Sequence, residues 1–227
     1  MKQFRYVSGL PELVTLDKFE KDGKRTYILP NGTHAISVTT MLGHFKKKAI
    51  QAWRDRVGHE EANKISAKAS SRGTKVHNLL EKYLENVPVK TLTENLMPDL
   101  KQNFLDIRAD VDRIDNIHHI EASLYSEKML LAGRTDVIAE FDGTLSIIDF
   151  KTSRKEKRKE HIQDYFEQAT AYALMYEERT EIVIDQIVII ILADDLPKPQ
   201  VFIESKENYI ETLFDKILTY HRDQKKG

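Results

Sequence analysis

Residues 133–153 read GRTDVIAEFDGTLSIIDFKTS, two largely apolar runs on either side of Asp142-Gly143. Asp-Gly in that setting marks a two-residue hairpin loop, because both loop positions need positive φ. With Asp142 and Gly143 in the loop, Phe141 opposes Thr144. Counting back along both strands then puts Asp136 directly across from Asp149. Lys151 falls on the same face as Asp149, since side chains alternate along a strand.

Directly opposed Cβ atoms lie ~4.5–5.5 Å apart, and like charges at that separation are destabilising. A hairpin built only for stability would avoid two carboxylates there. A hard divalent cation between them resolves the conflict, since Mg²⁺ takes one or two carboxylates and completes its octahedron with waters and phosphate oxygens. Lys151 can then orient or help deprotonate an attacking water, or offset charge growing on a scissile phosphate. Phosphodiester hydrolysis needs these parts. The purely structural alternative is that Lys151 salt-bridges Asp149 while Arg134 pairs with Asp136 on an exposed face. Asp-x-Lys also recurs by chance: Asp99-Leu-Lys101 sits in a helical pattern, and Glu204-Ser-Lys206 has no opposing acid.

Outward from this hairpin, Arg25 to Val38 reads as two short extended runs around the turn dipeptide Asn31-Gly32. From about Thr39 to Asn86 apolar residues recur at three- and four-residue spacing, which predicts helices, with a break near Ser70–Gly73. A further helical pattern covers about Thr93 to Ile114. Strands are expected at Ile120–Leu131, Gly133–Phe141 and Thr144–Phe150, a helix at about Glu160–Glu178, and a buried strand at Gln186–Ala193. Val201–Glu204 reads as a short last strand and Glu207–Arg222 as an amphipathic closing helix. This order predicts an α/β (α+β) fold, a mixed central β-sheet flanked by helices with a helical N-terminal lobe.

The 227 residues carry 35 Lys+Arg against 36 Asp+Glu, so no excess of basic charge over the whole chain points to nucleic acid, and any basic surface is local. Two basic runs stand out, Lys46–Lys48 and Arg154–Lys159, and each taken alone is as readily a solvated face. The absence of Cys excludes disulfides, thiolate zinc sites, iron–sulfur clusters and cysteine nucleophiles. The longest apolar run, Ile187–Ala193, is far short of the ~20 residues of a membrane span. No Walker or dinucleotide glycine motif occurs, so ATP is not expected. His59-Glu60 lacks the second histidine of a zincin, with Asn63 in its place, and His118-His119 reads as a loop feature. The opening MKQFRYVSGLPELV has neither a signal-peptide core nor presequence character, which points to a cytoplasm, that of a bacterium or a phage-infected cell.

Asp136 followed by Asp149-Phe150-Lys151 resembles the PD-(D/E)XK nucleases, here with Thr135 where the name has Pro. Arg72-Gly73-Thr74 with His77, Gly133-Arg-Thr-Asp136, and Gln168-x-x-x-Tyr172 follow in the order of the RecB-like branch. Within that branch the chain is most similar to the mitochondrial genome maintenance exonucleases and the small phage exonucleases like them, over most of the sequence beyond about residue 35. The resemblance implies a single nuclease domain over 1–227, with a hairpin and helical lobe at 1–115 and a catalytic α/β core at 116–227. It implies Mg²⁺ or Mn²⁺ held by His77, Asp136, Asp149 and the main-chain carbonyl of Phe150, without an iron–sulfur cluster. It also implies that Gln168 and Tyr172 orient the catalytic face.

Gln168 and Tyr172, at i and i+4, share a helix face beside the small Ala169 and Ala173. Without the motif, His77 beside Leu80 and Leu84 is an ordinary core histidine, and Tyr172 an ordinary core tyrosine. Glu81, one turn beyond His77, could steady it or be a solvated helix acid. Glu121 is either an acid supporting the ligands or an edge-strand charge. The activity implied is metal-dependent exonuclease cleavage of single-stranded DNA from free ends, in replication, repair or recombination. Its DNA contacts would come from Lys46, Lys47, Lys48, Trp53, Arg54 and Arg72, and from Thr152, Ser153, Arg154, Lys155, Lys157 and Arg158 beyond the catalytic lysine. Trp53 reads equally as a core anchor. A flap or junction endonuclease and a non-catalytic nucleic-acid-binding module are the alternatives.

Overall fold

The computed structural model describes residues 2–21 and 23–225. The elements run β1 (Asp17–Lys21), β2 (Lys24–Ile28), β3 (His34–Ser37), α1 (Val38–His44), α2 (Lys47–Val57), α3 (His59–Leu84), α4 (Val89–Thr93), α5 (Pro98–Val111), β4 (Ile114–Ser126), β5 (Leu131–Phe141), β6 (Thr144–Ser153), α6 (Gln163–Thr180), β7 (Gln186–Ala193), β8 (Gln200–Ser205) and α7 (Ile210–Gln224). All eight strands join one mixed sheet, in the order β1-β2-β3-β5-β6-β7-β8, with β4 also on β5. Among the described residues no helix is long and apolar enough to cross a membrane.

The alternation of β5 to β7 explains the two layers. Ile138, Ile147, Ile187, Ile189 and Ile191 face α1, α6 and α7, where Met41, Phe166, Ala169, Ala173, Tyr176 and Leu213 complete one core. Val137, Ile148, Phe150, Val188 and Ile190 face the opposite way, onto Val76, Leu80 and Leu84 of α3 and Phe104 and Ile107 of α5. β7 is buried on both sides, which is why its sequence is a continuous apolar run. β6 and β7 pair in parallel with α6 as the crossover, and the hairpin of β7 and β8 closes that end of the sheet.

The β5–β6 hairpin has the register counted from Asp142-Gly143, from Phe141 opposite Thr144 to Val137 opposite Ile148. Both loop residues have positive φ, 51° and 79°. Elsewhere the structure corrects the sequence reading. α3 runs unbroken through Ser70–Gly73. A Cβ on Gly73 would meet Thr152 Oγ1 of β6 at 3.6 Å, an ordinary contact, so the helix passes through this glycine without space requiring it. The strand expected at Ile120–Leu131 is β4, which begins at Ile114 and ends at Ser126. His118-His119 therefore lies within a strand; His118 Nδ1 is 2.9 Å from the Tyr176 hydroxyl. β1 was not expected at all, because Asp17–Lys21 is a charged edge strand with little apolar signal.

One feature of the sheet determines where chemistry can occur. β4 lies along one edge of β5 from Leu131 to Phe141. The other edge is divided: β3 pairs with Leu131 and Ala132, and β6 pairs with Val137–Phe141. Gly133–Asp136 has no strand partner on that edge, and β6 runs past it with Asp149 and Lys151. Tyr172 of α6 packs over this opening. A Cβ on Gly133 would stand 2.7 Å from Tyr172 Cε1 and 2.8 Å from its hydroxyl, so no larger residue fits. Gly133→Ala should therefore lower stability by about 1–3 kcal/mol through overpacking, read as a fall in the thermal unfolding midpoint. An unchanged midpoint would mean that α6 has slack above β5.

Candidate active site

Side chains from α3, β5, β6 and α6 meet at the opening in β5. Where the β5–β6 ladder ends, the Phe150 N–H donates to Asp136 Oδ2 at 2.8 Å instead of to a strand carbonyl. Asp136 Oδ1 lies 3.3 Å from His77 Nδ1 on α3. Asp149 is 2 % exposed. It is ion-paired with Lys151 through Oδ2 and accepts from Gln168 Nε2 at 3.4 Å through Oδ1. The same Gln168 accepts from Lys151 Nζ at 3.3 Å and donates to the Tyr172 hydroxyl at 3.3 Å. The Lys151 ammonium also lies 5.3 Å from the centre of the Tyr165 ring, within cation–π range. Gln168 thus ties acid, lysine and tyrosine into one unit.

The electrostatics follow from this crowding. Burial opposes a charged His77, but contact with Asp136, with Asp149 behind it, raises its pKa to about 9. Burial acts on Asp136 too, and His77 nevertheless holds it below the usual carboxylate range. Asp149 is pushed up to about 6 by burial, with Lys151 opposing and Asp136 reinforcing the shift. Burial disfavours the Lys151 ammonium, yet the two acids raise its pKa overall. Each acid is therefore faced by a cationic side chain, His77 or Lys151, with which a metal ion bound there would compete.

The expected site residues fall into groups. His77, Asp136, Asp149, Phe150, Lys151, Gln168 and Tyr172 are together. The structural alternative holds in one half only: Lys151 does pair with Asp149, but Arg134 reaches Glu121, at 3.5 Å, and not Asp136. Lys46 approaches from the α1–α2 junction, bonding Asp164 at 2.5 Å and sharing the Tyr165 ring with Lys151. Arg72, Thr152, Ser153 and Arg154 line a cavity of about 310 Å³ beside the site. In it Arg72 donates to the Ser153 carbonyl at 3.2 Å and bonds Asp194 at 2.5 Å.

The chain at 154–158 is strapped down through its backbone, Glu156 N–H to Asp195 at 2.7 Å and Lys157 N–H to Gln200 at 2.8 Å. Arg154, Lys155 and Arg158 are left exposed. Lys47 instead lines a separate cavity of about 350 Å³ with Lys24, Arg25 and His44, and Lys48 is exposed. Trp53 and Arg54 are half-buried on α2, which buries no residue fully, and Trp53 belongs to neither core.

The sequence reading did not single out Tyr165, Asp164 or Asp194. Their only signal is position, next to Gln168 or at the end of β7.

The donors fit a hard divalent cation. Two carboxylates, an imidazole and the carbonyl at Phe150 are oxygen-rich and contain no thiolate. His77, Asp136 and additionally Glu121 present ligand atoms all within 4.8 Å of one another.

A family model described as PD-(D/E)XK nuclease superfamily matches residues 44–224. The human protein "Mitochondrial genome maintenance exonuclease 1" is 28% identical over 148 residues, covering 60% of this chain and 42% of that protein. The match thus spans less than half of the human relative. Among solved structures, "Crystal structure of SSO0001" aligns over 64% of this chain and 84% of that one at 13% identity, with a TM-score of 0.30.

Removing one partner of a buried ion pair leaves the other uncompensated, at a cost of about 3 kcal/mol at the low end. Lys151→Ala should destabilise the metal-free protein by about that much, and Mg²⁺ or Mn²⁺ should raise its unfolding midpoint more than the wild type's. Equal metal-induced rises would mean that the cation does not sit against Asp149.

Proposed function

This chain is a member of the PD-(D/E)XK nuclease superfamily, and from that premise we propose that it is a Mg²⁺- or Mn²⁺-dependent exonuclease cleaving single-stranded DNA from free ends, in DNA replication, repair or recombination. The observation that carries the reading is the unit of Asp136, Asp149 and Lys151 at the opening of β5, with Arg72, Thr152, Ser153 and Arg154 continuing from it along one cavity. The name of the human relative supports the exonuclease assignment and the process.

Each residue has a part in the reaction. Asp136 and Asp149, with His77 and the Phe150 carbonyl, would hold the cation, which would supply Lewis-acid polarisation of the scissile phosphate and of the attacking water at neutral pH. Lys151 donates to the phosphate oxygens or to the attacking water, its ammonium fixed by Asp149 and Gln168. Gln168 bridges that ammonium and Asp149, accepting from the one and donating to the other, and its amide also donates to the Tyr172 hydroxyl. Burial of the unit excludes bulk water and strengthens these contacts.

Beyond Lys151, a strand would run along Thr152–Arg158 with its phosphates against Arg154, Lys155, Lys157 and Arg158, none of which has a carboxylate partner within ion-pair distance among the described residues. Lys46, at the Tyr165 ring, would meet the strand from the other side, with Lys48, Trp53 and Arg54 of the N-terminal helices flanking it. Basic groups beside an aromatic surface suit binding that does not depend on sequence.

The test is cleavage of end-labelled linear single-stranded DNA beside a circular single strand and a duplex, each with Mg²⁺, Mn²⁺ or EDTA. Metal-dependent loss of the linear strand alone is expected. Cutting of the circle would make the enzyme an endonuclease, and a mobility shift without cleavage would make it a binding module. Asp149→Ala should abolish turnover in a folded protein, and Lys151→Ala should lose turnover while still binding metal. Neutralising Arg154, Lys155, Lys157 and Arg158 together should weaken DNA binding on all sequences. It should also flatten the dependence of log affinity on log salt, by a slope of roughly 0.7 for each phosphate of a single strand that is no longer neutralised. An unchanged slope would take this strap out of the DNA path.

A further inference from the structure

The β4–β5 register sets a carboxylate beside Asp136 on the edge away from β6. Ile120 pairs with Val137 and Ala122 with Thr135, so Glu121 stands opposite Asp136. Three carboxylates, Glu121, Asp136 and Asp149, therefore lie in a row across three adjacent strands. Glu121 breaks the regular strand, with φ of 53°, a conformation that is uncommon outside glycine. Burial and the neighbouring Asp136 raise its pKa, against Arg134. Between Glu121, Asp136, His77 and Phe150 is a partly open cavity of about 10 Å³, lined also by Glu81 and Leu84 of α3. That is room for about one water-sized body. Asp149 does not line this cavity.

The geometry points to Glu121 as a direct ligand of the divalent cation, holding it together with His77 and Asp136 on the α3 side of the row. Three ligand atoms from three elements, all within 4.8 Å of one another around an ion-sized space, are what a hard cation requires. The competing role, a counter-charge for Arg134, is served by a single 3.5 Å contact in which the Arg134 side chain is 51% exposed. Such exposed pairs contribute little. With Glu121 the site offers a third carboxylate, more negative charge than Mg²⁺ usually takes from protein. The ammonium of Lys151 and the site's own cation offset it. The inference rests on the reading of this cluster as a metal site.

Calorimetric titration of the metal-free 227-residue chain with Mn²⁺ tests it without any cleavage assay, using wild type, Glu121→Gln, Glu121→Asp and Arg134→Met. Changes to groups that merely support ligands already weaken metal binding roughly 10–100-fold. Glu121→Gln should weaken Mn²⁺ binding at least as much, and Glu121→Asp less. Arg134→Met should leave it unchanged or tighten it. Glu121→Gln should also raise the unfolding midpoint of the metal-free protein, by relieving repulsion with Asp136, and shrink the rise that Mn²⁺ induces. Wild-type affinity in Glu121→Gln would overturn the assignment and leave the metal site standing. So would equal weakening in Arg134→Met, which would reduce Glu121 to an anchor for Arg134. If Glu121→Gln does not fold, Glu121→Asp decides alone, and undiminished affinity there with a lowered metal-free midpoint overturns the assignment. A wild-type protein that takes up no Mn²⁺ and shows no shift in its midpoint would remove the metal reading and this inference with it.

Discussion

The divided edge of β5 is the constraint on which the site depends. A strand flanked on both sides along its whole length would lock the backbone of Gly133–Asp136 into a ladder, with no gap for groups from neighbouring elements to enter. Because β3 leaves after Ala132 and β6 joins only at Val137, backbone and side chains in between are free for other partners. Asp136 uses that freedom to accept the Phe150 N–H, and in doing so fixes the point where β6 turns its carbonyls and Lys151 into the opening. Gly133 uses it to admit the Tyr172 ring. Two motifs far apart in sequence are thus one steric fit.

Repulsion among acids is what the surrounding charges manage. His77, Lys151 and Arg134 each stand against one member of the row formed by Asp136, Asp149 and Glu121. Two of these pairs are largely buried, and a buried charge without a partner is costly. The site is therefore held in a poised state in which each carboxylate has a cation close by. The two core layers provide the rigidity for this, since α3 and α6 are clamped to opposite faces of β6 and β7 and bring His77 and Gln168 to the same end of β6.

Much of this was legible in the sequence, for definite reasons. Asp142-Gly143 allows one tight turn, and a tight turn fixes register, so the pairing down to Val137 opposite Ile148, where the ladder ends next to Asp136 and Asp149, could be counted. The run of isoleucines in β7 could be read because it is buried on both faces. The opposition of Glu121 and Asp136 could not be counted, because the link from Ser126 to Leu131 is no two-residue turn and β4 carries an irregularity between Asp115 and His119. Gly73 misled for the opposite reason. Locally it reads as a helix breaker, yet α3 continues through it because Val76, Leu79 and Leu80 just beyond are packed into the core. Tyr165 had no motif to mark it, since a cation–π contact to a lysine on another element leaves no periodic trace.

The connectivity that creates the opening also sets the order in which the molecule can assemble. β3 is joined to β5 across nearly a hundred residues of intervening chain, as roughly the distance from Ile36 to Leu131 implies, and Gln168 joins Asp149 and Lys151 only once α6 has been made. Folds dominated by such distant contacts form slowly. While it is being synthesised, the chain contains every acid of the site but none of the geometry. Until α6 is made and docks, Asp149 and Lys151 lack the Gln168 contacts that tie them to Tyr172.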